Sequence, residues 1–368
     1  MFSHNHYVPI LKSKKGEFDA LKNLSSNVRD TLTPMIDVLA VDWDHKNNKP
    51  KCELDEHLDK VAKNIKSSWV DETPIFVDVY WIDLDERVDG KVHPVEYIFN
   101  CLRSEMDGFI PVTGLDRDSN FQKAVAKIIS KDKRGVCVRI QNDDLEDIEV
   151  LREDLEGIIS LLDVDIQDIH IVIDLRSIRK RALTPLASSL IESINCFPNI
   201  NEYKTLTVTA SSMPQSLSEC IKTGETDSIS RDEMSLWLSV LQSEEKLKRI
   251  PAFGDYGVSH PDYVDLDGRT IGKNLSPSIR YAIEDSWLIL RGIMFRKHPE
   301  GYKQYHDLSK DLVDRAEYYD EKFSWGDGRI NKCATYQTGP GSMAQWVAHN
   351  TNHHIVATAK QVANAVLP

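Results

Sequence analysis

Lys12, Asp37, Asp78, Arg139 and Asp174 each close a short apolar run, as in Val8-Pro-Ile-Leu-Lys12 and Ile171-Val-Ile-Asp174. Ser211 and Asp255 end two further runs. If these side chains meet, the acids and bases shift one another's proton affinities. Asp78, Asp174 and Asp255 are the candidate catalytic groups, as general bases or, with Asp37, as oxygen ligands to a divalent cation. Lys12 and Arg139 could grip a phosphate or carboxylate, Arg139 through a two-pronged fork. The same residues could instead form a closed ion-pair network that holds no ligand.

The loop Phe253-Gly-Asp-Tyr-Gly257 presents Asp255 and Tyr256 between glycines. With Arg280, Tyr281, Trp287 and Arg291 it could wall a pocket, or those residues could pack as core. The candidate ligand-binding set is therefore Lys12, Asp37, Arg139, Ser211, Tyr256 and Arg280. Lys14, Lys15 and Glu17 read as a basic lip or as a solvated loop. His349 and His353 stand four apart on a late helical stretch, a spacing that can chelate a transition metal. No Glu follows the first of them, so HExxH is not met, and a packed histidine cluster is the simpler reading. Thr338-Gly-Pro-Gly-Ser342 lacks a Walker lysine and reads as a turn with Ser342 as helix cap. No metal or cofactor is assigned. The absence of GxSxG, CxxC and dinucleotide fingerprints in fitting contexts removes the commonest hydrolases, zincins, kinases and dehydrogenases.

These residues need a scaffold that brings strand ends together. Strand signals at 7–12, 33–39, 74–81, 109–113, 135–140, 169–175, 204–211 and 250–254 alternate with helical periodicity, as in Leu54, Leu58, Val61, Ile65 and Trp69. Continuous apolar runs between helices indicate strands covered on both faces. Eight β–α repeats in about 250 residues match a (β/α)8 barrel, whose sites lie at the carboxyl ends of the strands. An open doubly wound sheet is the alternative. A helix over 230–247 should open with Ser230 as cap and Glu233 reaching back. Beyond it lie a loop with Asp265, Asp267, Gly268 and Gly272 as turn formers, a hairpin over 278–291 and helices over 302–319 and 342–365. The stretch 323–341 reads as loop. The expected division is a barrel over 1–262 and a hairpin-and-helix extension over 263–368.

A hydrophobic share of 41%, a charged share of 28% and a net charge of −13 suit a globular protein. They argue against a generally basic nucleic-acid surface, although Arg176-Ser-Ile-Arg-Lys-Arg181 is a local basic cluster. No run reaches the roughly 20 apolar residues of a membrane span, and Met1 to Pro9 lacks a signal-peptide pattern. Six dispersed cysteines fit a reducing compartment, so the expected location is the cytoplasm.

Phe253-Gly-Asp-Tyr-Gly257, Ser278-Ile-Arg-Tyr281 and Trp287-Leu-Ile-Leu-Arg-Gly292 resemble the beta protein family of T-even-like phages and bacterial genomes. Tyr7 to Glu17, Thr33 to Asp37, Trp346 and Asn352-His-His354 extend the resemblance nearly end to end. It implies a setting in phage–host conflict and carries no catalytic role onto any residue. The expected function is a strand-end pocket that binds or processes an anionic, phosphorylated or nucleotide-like ligand. The alternative is a non-catalytic scaffold that engages a protein partner from a phage defence or counter-defence system.

Overall fold

The computed structural model describes residues 3–69, 73–103, 108–264 and 275–365. Eight parallel strands close a barrel: β1 (Tyr7–Lys12), β2 (Met35–Asp37), β3 (Ile75–Asp78), β4 (Phe109–Gly114), β5 (Val136–Gln141), β6 (Ile169–Ser177), β7 (Thr205–Ser211) and β8 (Ala252–Asp255). Each pairs with its sequence neighbours, and β8 closes on β1 through Tyr7 opposite Phe253. Full closure excludes the open sheet.

The strands alternate faces, as a period of two requires. Val8, Ile10, Met35, Phe76, Ile110, Val112, Cys137, Val172 and Tyr256 form one apolar cluster inside the barrel. Tyr7, Leu11, Ile36, Val77, Val138, Ile171, Ile173, Val208 and Phe253 face outward into a larger core under the helices. Those helices are α1 (Lys15–Lys22), α2 (Leu54–Ser68), α3 (Pro94–Leu102), α4 (Ser119–Asp132), α5 (Ile148–Leu162), α6 (Leu183–Cys196) and α7 (Asp232–Leu241). Each buries an apolar stripe, as α2 does with Leu58, Val61 and Ile65. Asp118 and Asp147 cap α4 and α5 by accepting backbone N–H bonds.

After β8 the chain departs from simple repetition. The turn formers Asp265, Asp267, Gly268 and Gly272 lie outside the described residues. The hairpin forms as β9 (Ser278–Ala282) and β10 (Ser286–Arg291). A strand over Thr226–Ser230, from the connection before α7, adds antiparallel to β10. Ser230 therefore ends a strand rather than capping a helix, and Glu233 accepts from the Ser212 backbone N–H instead. Helix α8 (Gln304–Val313) is shorter than its periodicity suggests, and α9 (Trp325–Ala334) occupies the stretch expected to be loop. Ser324 caps α9.

The last helix, α10 (Met343–Ala363), starts with the expected Ser342 cap, reinforced by Gln345 as a capping box. It lies against α1 and β1: Asn352 donates to the Ala20 carbonyl at 3.0 Å, and His354 reaches the Tyr7 hydroxyl at 3.2 Å. A Cβ on Gly16 would come within 2.6 Å of the Ala344 carbonyl, so the two helices touch there through a glycine. Helix α10 thus takes the place of the eighth barrel helix.

Candidate functional site at the barrel mouth

Two residues beyond the inward-facing Ile10, Met35, Phe76, Cys137 and Val172, the strands point Lys12, Asp37, Asp78, Arg139 and Asp174 inward at their carboxyl ends. Arg139 stands at the centre and is 1% exposed. Its Nε donates to Asp174 at 2.9 Å, and Nη1 donates to both Asp37 and Asp78 at 2.9 Å. Nη2 donates to the Tyr256 hydroxyl at 2.7 Å and lies 2.8 Å from Asp174. Four of the five guanidinium hydrogens make hydrogen bonds and Nη2 is also in ion-pair contact with Asp174, so Arg139 organises the acids instead of gripping a ligand. The reading of these acids as ligands to a divalent cation is not met, because Arg139 stands among Asp37, Asp78 and Asp174. Among the described residues no group of three or more His, Cys, Asp or Glu is placed to hold a metal ion.

The three acids differ in how they are held. Asp174 accepts from the Arg139 guanidinium, the Tyr256 hydroxyl, the Arg176 backbone N–H and Thr209 Oγ1. Burial alone would raise its pKa, but the charge of Arg139 and these hydrogen bonds hold it below the usual carboxylate value. Asp37 is pushed upward by burial and by the neighbouring Asp78, against the pull of Arg139 and Lys12. One arginine therefore serves an acid whose pKa is raised and another whose pKa is lowered. Asp78 also accepts from Arg117 at 3.1 Å.

Above this layer Tyr80 lies among three guanidinium groups. Arg117 stands 4.7 Å from its ring centroid, and Arg139 and Arg176 each stand 5.5 Å away. Strand β6 bulges between Asp174 and Ser177, and Arg176 adopts a left-handed φ of 51° there. Arg176 donates to Asp262 at 2.5 Å, while its Nη1 is buried without a hydrogen-bond partner among the described residues. Lys12 donates to the His260 carbonyl, and burial lowers its pKa. Lys14 is paired with Asp42 and Tyr263 rather than free in a solvated lip.

The other expected residues sit elsewhere. Asp255 follows the outward-facing Phe253, so it points away from the mouth, between the barrel and α10. There it accepts from the Tyr7 hydroxyl at 2.6 Å and pairs with His354 at 2.8 Å. Burial opposes its ionisation, but His354, Arg231 and these hydrogen bonds lower its pKa overall. Ser211 accepts from the Met213 backbone N–H, and Thr209 on the same strand donates to Asp174. Arg280 donates to the Val258 carbonyl. Trp287 stacks on His354 at 4.6 Å, so the hairpin packs as core. His353 bonds Asp327 and the Ala282 carbonyl, tying α10 to α9 and β9. The site residues missed from sequence are Tyr80, Arg117 and Thr209, whereas Glu17, read with Lys14 and Lys15 as a lip or a solvated loop, is buried beside Lys12. Arg176 carried a signal, as the first residue of a basic cluster.

Glu17, in the first turn of α1, is 4% exposed. Burial pushes its pKa up to about 7, against the charge of Lys12 and the Ser259 hydroxyl. In the unfolded chain it titrates near the ordinary glutamate value of 4.5. A raised carboxyl contributes stability below its unfolded value and loses it as pH rises through the folded one. We therefore expect urea unfolding to show a loss of about 3 kcal/mol between pH 4.5 and pH 8 from this group, at roughly 1.4 kcal/mol per pKa unit. Glu17→Gln should flatten that segment of the profile; an unchanged profile would assign the loss to another group.

Fold and site together define a closed (β/α)8 barrel whose strand ends converge on a buried arginine. The chain belongs to the Beta protein family, whose model matches residues 7–360. It is 24% identical over 372 residues to Protein beta of Enterobacteria phage P4, a match covering 96% of this chain and 93% of that protein. Among solved structures it is similar to triosephosphate isomerase from Bartonella henselae, with a TM-score of 0.35 and 11% identity over 67% of this chain and 91% of that one. No helix among the described residues is long and apolar enough to cross a membrane.

Proposed function

We propose that the mouth of the barrel binds a small ligand carrying an oxyanion, a phosphorylated or nucleotide-like molecule, in a cytoplasmic protein acting in phage–host conflict. The observation that carries this reading is the unpartnered, buried Nη1 of Arg176, held near the Lys12 ammonium above an acid layer already saturated by Arg139. Two cations that raise each other's cost of charging are relieved by an anion between them. Tyr80 and Trp81, which meet edge to face at 5.2 Å, add an aromatic wall. Asp37 supplies the acid–base group if the ligand is turned over. The phage source of one relative supports the setting.

Thermal unfolding with sulfate, phosphate and a nucleotide panel tests this, because a ligand selective for the folded state raises apparent stability by about 2.7 kcal/mol at a hundredfold excess over Kd. The wild type should shift upward, and Arg176→Gln should fold normally and lose the shift. A second reading, a scaffold for a protein partner, is favoured by the exposed Tyr302 and Tyr336 on the segment between β8 and α10. No shift with any anion would leave that reading in front.

A further inference from the structure

Three residues of the segment 259–262 after β8 visit three groups at the mouth in turn. Ser259 Oγ donates to Glu17 Oε1 at 3.2 Å, the His260 carbonyl accepts from Lys12, and Asp262 accepts from Arg176. Glu17, Lys12 and Arg176 are thereby lined along one edge of the barrel, and the charges of Glu17 and Arg176 both act on Lys12. Two of the three are left incomplete. Arg176 Nη1 and Glu17 Oε2 are both buried with no hydrogen-bond partner among the described residues.

A bare buried carboxylate oxygen is costly, whereas a protonated one is a donor in need of an acceptor. We infer that Glu17 is a protonatable part of the anion site, so that an oxyanion entering beside Lys12 and Arg176 arrives together with a proton on Glu17. This rests on the reading of the mouth as an oxyanion site. The neutral carboxyl would donate its O–H to the ligand while Lys12 and Arg176 supply charge. A bound anion disfavours the ionised carboxyl still further, which strengthens the coupling.

The groups facing Glu17 are limited. Lys12 comes from β1, Asp37 from β2 and Ser259 from the segment after β8, with His260 and Asp262 beyond it. Helix α10 meets the start of α1 at Gly16 through Ala344 and Val347, neither of which titrates. The raised pKa of Glu17 near 7 agrees with this role. Among the alternatives, His260 is pushed the opposite way by burial.

Sulfate is the suitable probe, since it does not titrate near neutrality. Calorimetric titration at pH 7.5, in two buffers of different ionisation enthalpy, should show uptake of a sizeable fraction of a proton by the wild type. The sulfate Kd should rise by up to about tenfold per pH unit above the Glu17 titration. Glu17→Gln, which mimics the neutral acid, should bind sulfate without proton uptake and with a flat pH profile. Binding by the wild type without proton uptake overturns the inference, as does uptake that persists in Glu17→Gln. Were that variant not to fold, a wild-type Kd independent of pH would overturn it on its own. Absence of sulfate binding to wild type and variant alike would overturn the oxyanion site itself.

Discussion

Arg139→Met is expected to cost about 3–5 kcal/mol of unfolding free energy, the range for removing one partner from a buried ion cluster. Three carboxylates at most 1% exposed share this guanidinium, and without it Asp37 and Asp78 face each other with no charge between them. Arg139→Lys should recover little, because an ammonium cannot reproduce a planar fork that reaches Asp37, Asp78, Asp174 and Tyr256 together. The sign of the pH dependence separates this account from simple loss of packing. Stranded carboxyls have raised folded pKa values, so the deficit should shrink as pH falls toward 4 and they become neutral. Urea unfolding of wild type, Arg139→Met and Arg139→Lys at pH 4.5 and 7.5 reads this directly. A methionine variant as stable as the wild type at pH 7.5 would sink it.

A chain stopped at Gly341 should not fold, even though every barrel strand is present in it. Ile355, Val356, Ala359 and Val362 of α10 belong to the core beneath the helices. Each large apolar side chain contributes about 1.5–3 kcal/mol when buried, so their loss rivals a whole domain's stability of about 5–15 kcal/mol. The truncation also strands Tyr7 and Asp255 without His354, and Asp327 without His353. The expected result is an aggregated or non-cooperative chain by circular dichroism and thermal melting. A soluble, cooperatively melting truncation would show that the strands close without their last helix. Removal of this region therefore tests stability rather than partner binding, and the scaffold reading is better probed by Tyr302→Ser and Tyr336→Ser at the surface.

The strand count and the charged rim were legible because each strand is a compact apolar run with one polar residue at its end. The facing of that residue was not. A run apolar on both faces conceals which parity points inward, and a shift of one residue reverses it. Asp37, Asp78, Arg139 and Asp174 fall on the inward parity, whereas Asp255 falls on the other, and only Tyr256 beside it enters the barrel. Thr209, two residues before the candidate Ser211 on the same strand, makes the contact with Asp174 and carried no signal of its own. Arg117 and Tyr80 lie in loops whose role depends on pairing across the mouth, which no local pattern records.

Helix α9 was hidden by Gly326 and Gly328, which weaken intrinsic helix propensity. Packing overrides that penalty, since a Cβ at Gly326 would come within 2.2 Å of the His349 carbonyl. The glycine is what allows α9 to lie directly on α10. The strand Thr226–Ser230 was similarly obscure: its sequence, Thr-Asp-Ser-Ile-Ser, has a single apolar residue and pairs along one edge only.

The seating of α10 on α1 and β1 also sets a timetable. The ribosome makes β1 and α1 more than two hundred residues before their partners β8 and α10. At roughly 5–20 residues per second that interval is on the order of tens of seconds. Throughout it, the apolar outer faces of β1 and α1 wait on a tethered chain with their native cover not yet made. Closure is consequently a late event in the making of the barrel, and of all its strands β1 waits longest for its native neighbours on both sides.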